Sequence, residues 1–86
     1  MEVSVEFTLL PLQDEFELPI QRFIKVLRSS EFEVLENPLS TQVYGEYKTL
    51  MTFLTELIED TFQNIDQVVL NMKIVKTNRS DYEPDF

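Results

Sequence analysis

At 86 residues the chain is long enough for one small domain and too short for two. A hydrophobic content of 43% supports a single core, and the absence of cysteine and histidine excludes structural zinc, thiol nucleophiles, histidine bases and disulfides. With 16 acids against 7 bases and a net charge of −9, the chain lacks the Lys and Arg clusters that neutralise phosphates, which argues against nucleic acid and anionic membranes as partners.

The N-terminal segment Met1-Glu2-Val3-Ser4-Val5-Glu6 alternates and carries acids, so it does not read as a signal peptide. No run approaches the roughly 18 apolar residues of a membrane span. A cytoplasmic protein is the expectation.

Glu2 to Leu9 alternates strictly, with Val3, Val5, Phe7 and Leu9 on one face and Glu2, Ser4, Glu6 and Thr8 on the other. This is a half-buried strand, and Leu10-Pro11 is expected to end it. Ile20, Phe23, Ile24 and Leu27 then form one helical stripe. Pro19 suits the first turn, Glu15 and Glu17 the positive end of the helix dipole, and Lys25 and Arg28 the negative end. Ser29-Ser30 stops this helix.

Phe32 to Glu36 reads as a second strand, Asn37-Pro38 as a turn, and Thr41 to Gly45 as a short third strand. Tyr47, Leu50, Met51, Leu54, Leu57, Ile58 and Phe62 keep helical spacing over four turns. Val68 to Val75 is an apolar fourth strand. The tail from Thr77 to Phe86 is polar and without period, and is expected to be mobile, leaving 1–76 as the folded domain.

The order strand, helix, strand, strand, helix, strand predicts an α+β, ferredoxin-like βαββαβ sandwich. Right-handed crossovers place both helices on one face of an antiparallel four-stranded sheet of order 4-1-3-2. The fourth strand would be an edge guarded only by Lys73, which invites pairing with a second copy. Tyr44, opposite in parity to Thr41 and Val43, is expected to stand exposed on the open sheet face. The topology gathers Leu10-Pro11-Leu12, the start of the first helix, the 37–41 turn and the 64–67 loop at one end. Gly45 and Glu46 fall at the other.

Ser40 and Thr41 place two hydroxyls beside Asn37 and Glu36, groups that can read a flat heterocycle with mixed donor and acceptor edges. The plainer reading is turn chemistry, with these side chains bonding nearby backbone. Gly45, the single glycine, reads as a tight strand-to-helix turn or a bulge, with Glu46 favouring the helix N-terminus by its charge. Glu56, Glu59 and Asp60 read as a solvated helix face rather than paired catalytic carboxylates. Asp14, Glu15 and Glu17 lack the ligand order and glycine of a calcium loop. No phosphate-cradling glycine loop or nucleophile–base pair is present. Acylphosphatases share the expected fold, but Leu10-Pro11-Leu12-Gln13-Asp14 offers neither the arginine nor the loop they would need. No catalytic residue, metal site or cofactor is expected.

At Ser40-Thr41-Gln42-Val43-Tyr44-Gly45-Glu46 the chain resembles the thiamine-binding, YkoF-like domain family. The match rests on the first strand Val3 to Leu9 ending in Leu10-Pro11, on the Ser-Thr-x-x-x-Gly-Glu pattern, and on the amphipathic helix followed by Val68-Val69-Leu70. It covers residues 2 to 76. Leu10 departs from the tyrosine common there. The resemblance implies a small ferredoxin-like domain that assembles into dimers or tetramers. It implies binding of thiamine or its hydroxymethylpyrimidine moiety in thiamine supply or salvage, without catalysis. Ser40 and Thr41 match the family's ligand-contacting positions; Asn37 and Leu10 are neighbours at the same end, and Glu36 is a candidate to attract the thiazolium cation. The alternative is an oligomeric structural or regulatory module with no small ligand.

Overall fold

The computed structural model describes residues 1–85. It contains β1 (Glu2–Pro11), α1 (Glu17–Arg28), β2 (Glu33–Glu36), β3 (Thr41–Glu46), α2 (Tyr47–Gln63) and β4 (Val68–Lys76). The sheet is antiparallel with order β2-β3-β1-β4, which is the expected 4-1-3-2 read from the other edge. Phe86 lies outside the described residues.

The alternation of β1 drives the layering. Val3, Val5, Phe7 and Leu9 are buried beneath the helices with Val43 of β3. Phe23 and Leu27 of α1, and Leu50, Leu54 and Leu57 of α2, close the core from above. Phe7 and Phe23 meet edge to face at 5.2 Å, a favoured aromatic geometry. The predicted stripe on α2 was too wide at its ends. Tyr47 and Phe62 are exposed, whereas Phe53 packs against the core and Thr61 is buried with its hydroxyl on the Leu57 carbonyl.

Three expectations need correcting or sharpening. First, Leu10-Pro11 does end β1, but from inside the ladder rather than by breaking it, since Pro11 is paired opposite Val68. The Leu12 amide donates to the Gln67 carbonyl and the Thr77 amide to the Glu2 carbonyl, so even-numbered backbone groups of β1 face β4. Odd-numbered groups face β3, as the bond from the Tyr47 amide to the Met1 carbonyl shows at the far end. The missing N–H of Pro11 therefore falls on the side away from β4, where no ladder bond is required.

Second, Gly45 makes neither a turn nor a bulge. The β1–β3 register runs unbroken through Glu46, and no glycine has positive φ. Gly45 instead admits the Phe32 ring, whose Cδ1 would lie 2.7 Å from a Cβ built there. The turn into α2 is made by Glu46, whose carboxylate caps the helix by accepting from the Thr49 amide at 2.9 Å.

Third, Tyr44 lies on the open face as its parity requires, yet it is only 7% exposed. The chain after β4 crosses this face. The Ser4 hydroxyl donates to the Thr77 carbonyl and accepts from the Arg79 amide, both at 2.8 Å, while the Asn78 amide group donates to Glu2 at 3.2 Å. Ser4 is the cross-strand partner of Tyr44, so the segment pinned to Ser4 runs beside the phenol ring and can cover it. Burial, followed by the charges of Glu33 and Glu6, pushes the Tyr44 phenol up from its ordinary value.

Candidate functional site

β1 is ten residues long and β3 only six. Their pairing ends at Phe7↔Thr41, so β1 outruns its neighbour and leaves a notch beside residues 8–10. The 37–40 turn forms the opposite wall, and α1 roofs it. A cavity of about 280 Å³ occupies this notch, lined among others by Leu9, Leu10, Phe23, Asn37, Ser40 and Thr41. Four of the five site residues expected from sequence thus meet at one cavity.

The alternation of β1 sets its chemistry. In a regular ladder the odd-numbered residue after Phe7 would bond across to position 39, but Leu39 is not in a strand and its amide donates to the Asn37 side chain. The Leu9 N–H and C=O consequently face the notch with no strand opposite them. Backbone groups in so sheltered a place are normally paired. The notch therefore presents a donor and an acceptor side by side on one extended residue.

Three side chains add to this edge. The Asn37 oxygen is committed, accepting from the Leu39 and Ser40 amides at 3.0 Å each, which leaves the Asn37 NH₂ free to donate. Thr41 is 8% exposed and its hydroxyl has no partner among the described residues. Since no fully occluded side-chain polar atom among them lacks a partner, the Thr41 oxygen reaches accessible space. Leu10 is an exposed apolar lip.

The Ser40 and Thr41 hydroxyls are turned to opposite sides. Strand alternation sends Thr41 toward the helices and Ser40 toward the open face. There the Ser40 hydroxyl donates to Glu6 at 3.0 Å and accepts from the Gln42 amide at 2.8 Å. Lys73 of β4 lies 3.6 Å from the same carboxylate. The Ser40 hydroxyl first, with help from Lys73 and Gln42, holds the Glu6 carboxyl below its ordinary value against a smaller opposing effect of burial. Glu6 stays ionised at neutral pH and accepts only, so any further bond made by Ser40 is as an acceptor.

Glu36 is turned elsewhere. Arg28 grips it with Nε and Nη2 at 2.6 and 2.7 Å, and it does not line the notch. That fork also holds the Glu36 carboxyl below its ordinary value. The charge near the site is Glu6, which the sequence reading left as an ordinary outward acid. Its parity was visible, but its neighbours depend on the β1–β3 register. The Leu9 edge was hidden for the same reason. Among the described residues no three His, Cys, Asp or Glu side chains converge as a metal site would require, and no helix is long and apolar enough to cross a membrane.

A family model described as thiamine-binding protein matches residues 5–85. A solved protein from Streptococcus pneumoniae is 30% identical, with 91% of this chain and 89% of that one aligned at a TM-score of 0.81. A Thermotoga maritima protein assigned provisionally to thiamine biosynthesis or salvage is 24% identical, with coverage of 90% and 85% and a TM-score of 0.80. A Bacillus cereus domain of unknown function shares the fold at 16% identity, with coverage of 91% and 78% and a TM-score of 0.72. No curated protein matches significantly.

Proposed function

Because the chain belongs to the thiamine-binding protein family, we propose that it binds thiamine or its hydroxymethylpyrimidine moiety in the notch, without catalysing a reaction. The observation that carries this reading is the unpaired Leu9 peptide edge. An aminopyrimidine presents a ring nitrogen that accepts beside an amino group that donates. Leu9 N–H and C=O complement that pair. The Asn37 NH₂ and the Thr41 hydroxyl take the remaining ring edge, and Phe23 and Leu10 supply apolar contact. Ser40, fixed by Glu6, accepts rather than donates. At about 280 Å³ the cavity lies at the low end of ligand sites, which suits one substituted ring. The thiazolium of intact thiamine would extend past Leu10 toward solvent, where the charge of −9 and Glu6 in particular favour a cation.

Titration calorimetry of the purified protein with thiamine and with the free hydroxymethylpyrimidine tests this. Saturable heat with either ligand is expected. Replacing the amino group by dimethylamino should weaken binding by about tenfold or more, since it removes a donor and leaves the Leu9 carbonyl unpaired. No heat at millimolar concentrations of either ligand overturns the proposal.

We also propose self-association to a dimer or tetramer, in the cytoplasm, through β4. That strand is a free edge, and apolar side chains stand exposed on both of its faces: Met72 at 39% and Ile74 at 43% on the helix side, Val69 at 42% on the other. The same feature favours the competing reading, an assembly module without a ligand. That reading predicts no saturable heat with either ligand and self-association unchanged by Thr41→Val.

A further inference from the structure

A second cavity, of about 200 Å³, lies between the N-terminal half of α1 and the C-terminal end of α2. Its floor is apolar, built from buried Phe23, Leu57 and Ile65. Its rim carries Glu15, Arg22 and Asp60. The loop that brings Glu15 there is held by a bond of 2.8 Å from the Gln13 side chain to the Glu15 carbonyl. Arg22 makes no ion pair and no hydrogen bond with any described residue, although two carboxylates line the same cavity. Phe23 lines both this cavity and the notch.

The charge pattern selects the ligand class. A pure anion drawn to Arg22 would face two carboxylates, and a pure cation drawn to those would face Arg22. A neutral apolar molecule would use the floor alone and leave the three exposed rim charges unengaged. A small zwitterion satisfies every group, with its carboxylate on Arg22, its ammonium toward Asp60 and Glu15, and an apolar body on the Phe23–Leu57–Ile65 floor. The volume is below the roughly 300–1,000 Å³ of drug-sized sites and suits a single compact molecule. We propose that this interhelical cavity binds a free α-amino acid with an apolar side chain.

Methyl-resolved NMR titration of the full chain with L-leucine reads the site directly. Saturable shifts at Leu57, Ile65 and Val26 are expected. The half-molecules 4-methylpentanoate and 3-methylbutylamine should each bind about tenfold more weakly, because each leaves one side of the rim unpaired. Arg22→Gln, an exposed change, should abolish saturation while leaving the spectrum of the free protein folded. Absence of saturable shifts at tens of millimolar leucine, equal binding of either half-molecule, or unaltered binding by Arg22→Gln overturns the proposal. Since the readout is leucine at the helices and not thiamine at the notch, it is independent of the function proposed above.

Discussion

Replacing Gly45 by alanine tests why the chain uses its one glycine there. The backbone at Gly45 has no positive φ, so alanine meets no conformational penalty. In the unfolded chain the change should stabilise by about 0.4–1 kcal/mol, since alanine has less freedom to lose. Against this, the new Cβ would sit 2.7 Å from Phe32 Cδ1 and 3.1 Å from Cε1. Carbon atoms rest at about 3.5–4.0 Å, so the ring must retreat by close to an ångström. Phe53 packs on the same ring with centres 5.4 Å apart, so a shift of Phe32 also disturbs that contact. Overpacking of this kind costs about 1–3 kcal/mol. Taken at the middle of each range, about 2 against about 0.7, the net expectation is a loss of about 1.3 kcal/mol, or a fall in Tm of roughly 5–10 °C for a domain of this size. Thermal and urea unfolding of Gly45→Ala measure it. Phe32→Leu in the same background should recover part of the loss, giving a non-zero coupling in the double-mutant cycle. A Gly45→Ala protein as stable as the wild type or more so would refute the reasoning, because only the close approach of Phe32 makes the sign negative.

Thr41→Val keeps the shape of the side chain but removes the unpartnered hydroxyl; binding of the pyrimidine should weaken about five- to tenfold in calorimetry while Tm changes little. Glu36 is held below its ordinary value of 4.5 by Arg28, so its contribution to stability is present above that pH and fades as pH falls through the lower folded value. The gap in Tm between wild type and Glu36→Gln should therefore be constant near neutrality and close below about pH 4.5. Thr77 has a φ of 104°, a conformation that strains a β-branched residue, so Thr77→Gly should raise Tm by a few degrees despite the entropy glycine adds to the unfolded chain; an unchanged or lower Tm would remove the strain argument. The Tyr44 phenol, raised above 10.0 chiefly by burial, should ionise later than an ordinary tyrosine in an absorbance titration, and cutting the chain after Lys76 should return it toward normal.

Periodicity made the fold legible. Alternation in β1 and the helical stripes on both helices fixed six elements in order, and that order admits few sheets. What periodicity does not carry is register. The meeting of Asn37, Ser40, Thr41 and Leu10 followed from topology alone, because it needs only the ends of strands. The free edge at Leu9 depends on which residue of β1 faces Thr41 and on the two strands differing in length. The bond from Ser40 to Glu6 depends on the same register. Glu36 was misplaced for a local reason. Adjacent to Asn37 in sequence, it points to the helix side of β2, where Arg28 is waiting. Tyr44 was misjudged because a tail without period was given no structure, although its first residues are pinned to Ser4.

Phe23 has a consequence for any chemistry in either cavity. It lines both cavities and its ring meets Phe7 edge to face, so the two cavities share a wall residue. A molecule that displaced Phe23 in one cavity would alter the room left in the other. Whatever factor the first imposes on the affinity of the second, the second must return to the first. In so small a domain, one aromatic side chain would then suffice to make the supply of one compound sensitive to the abundance of another.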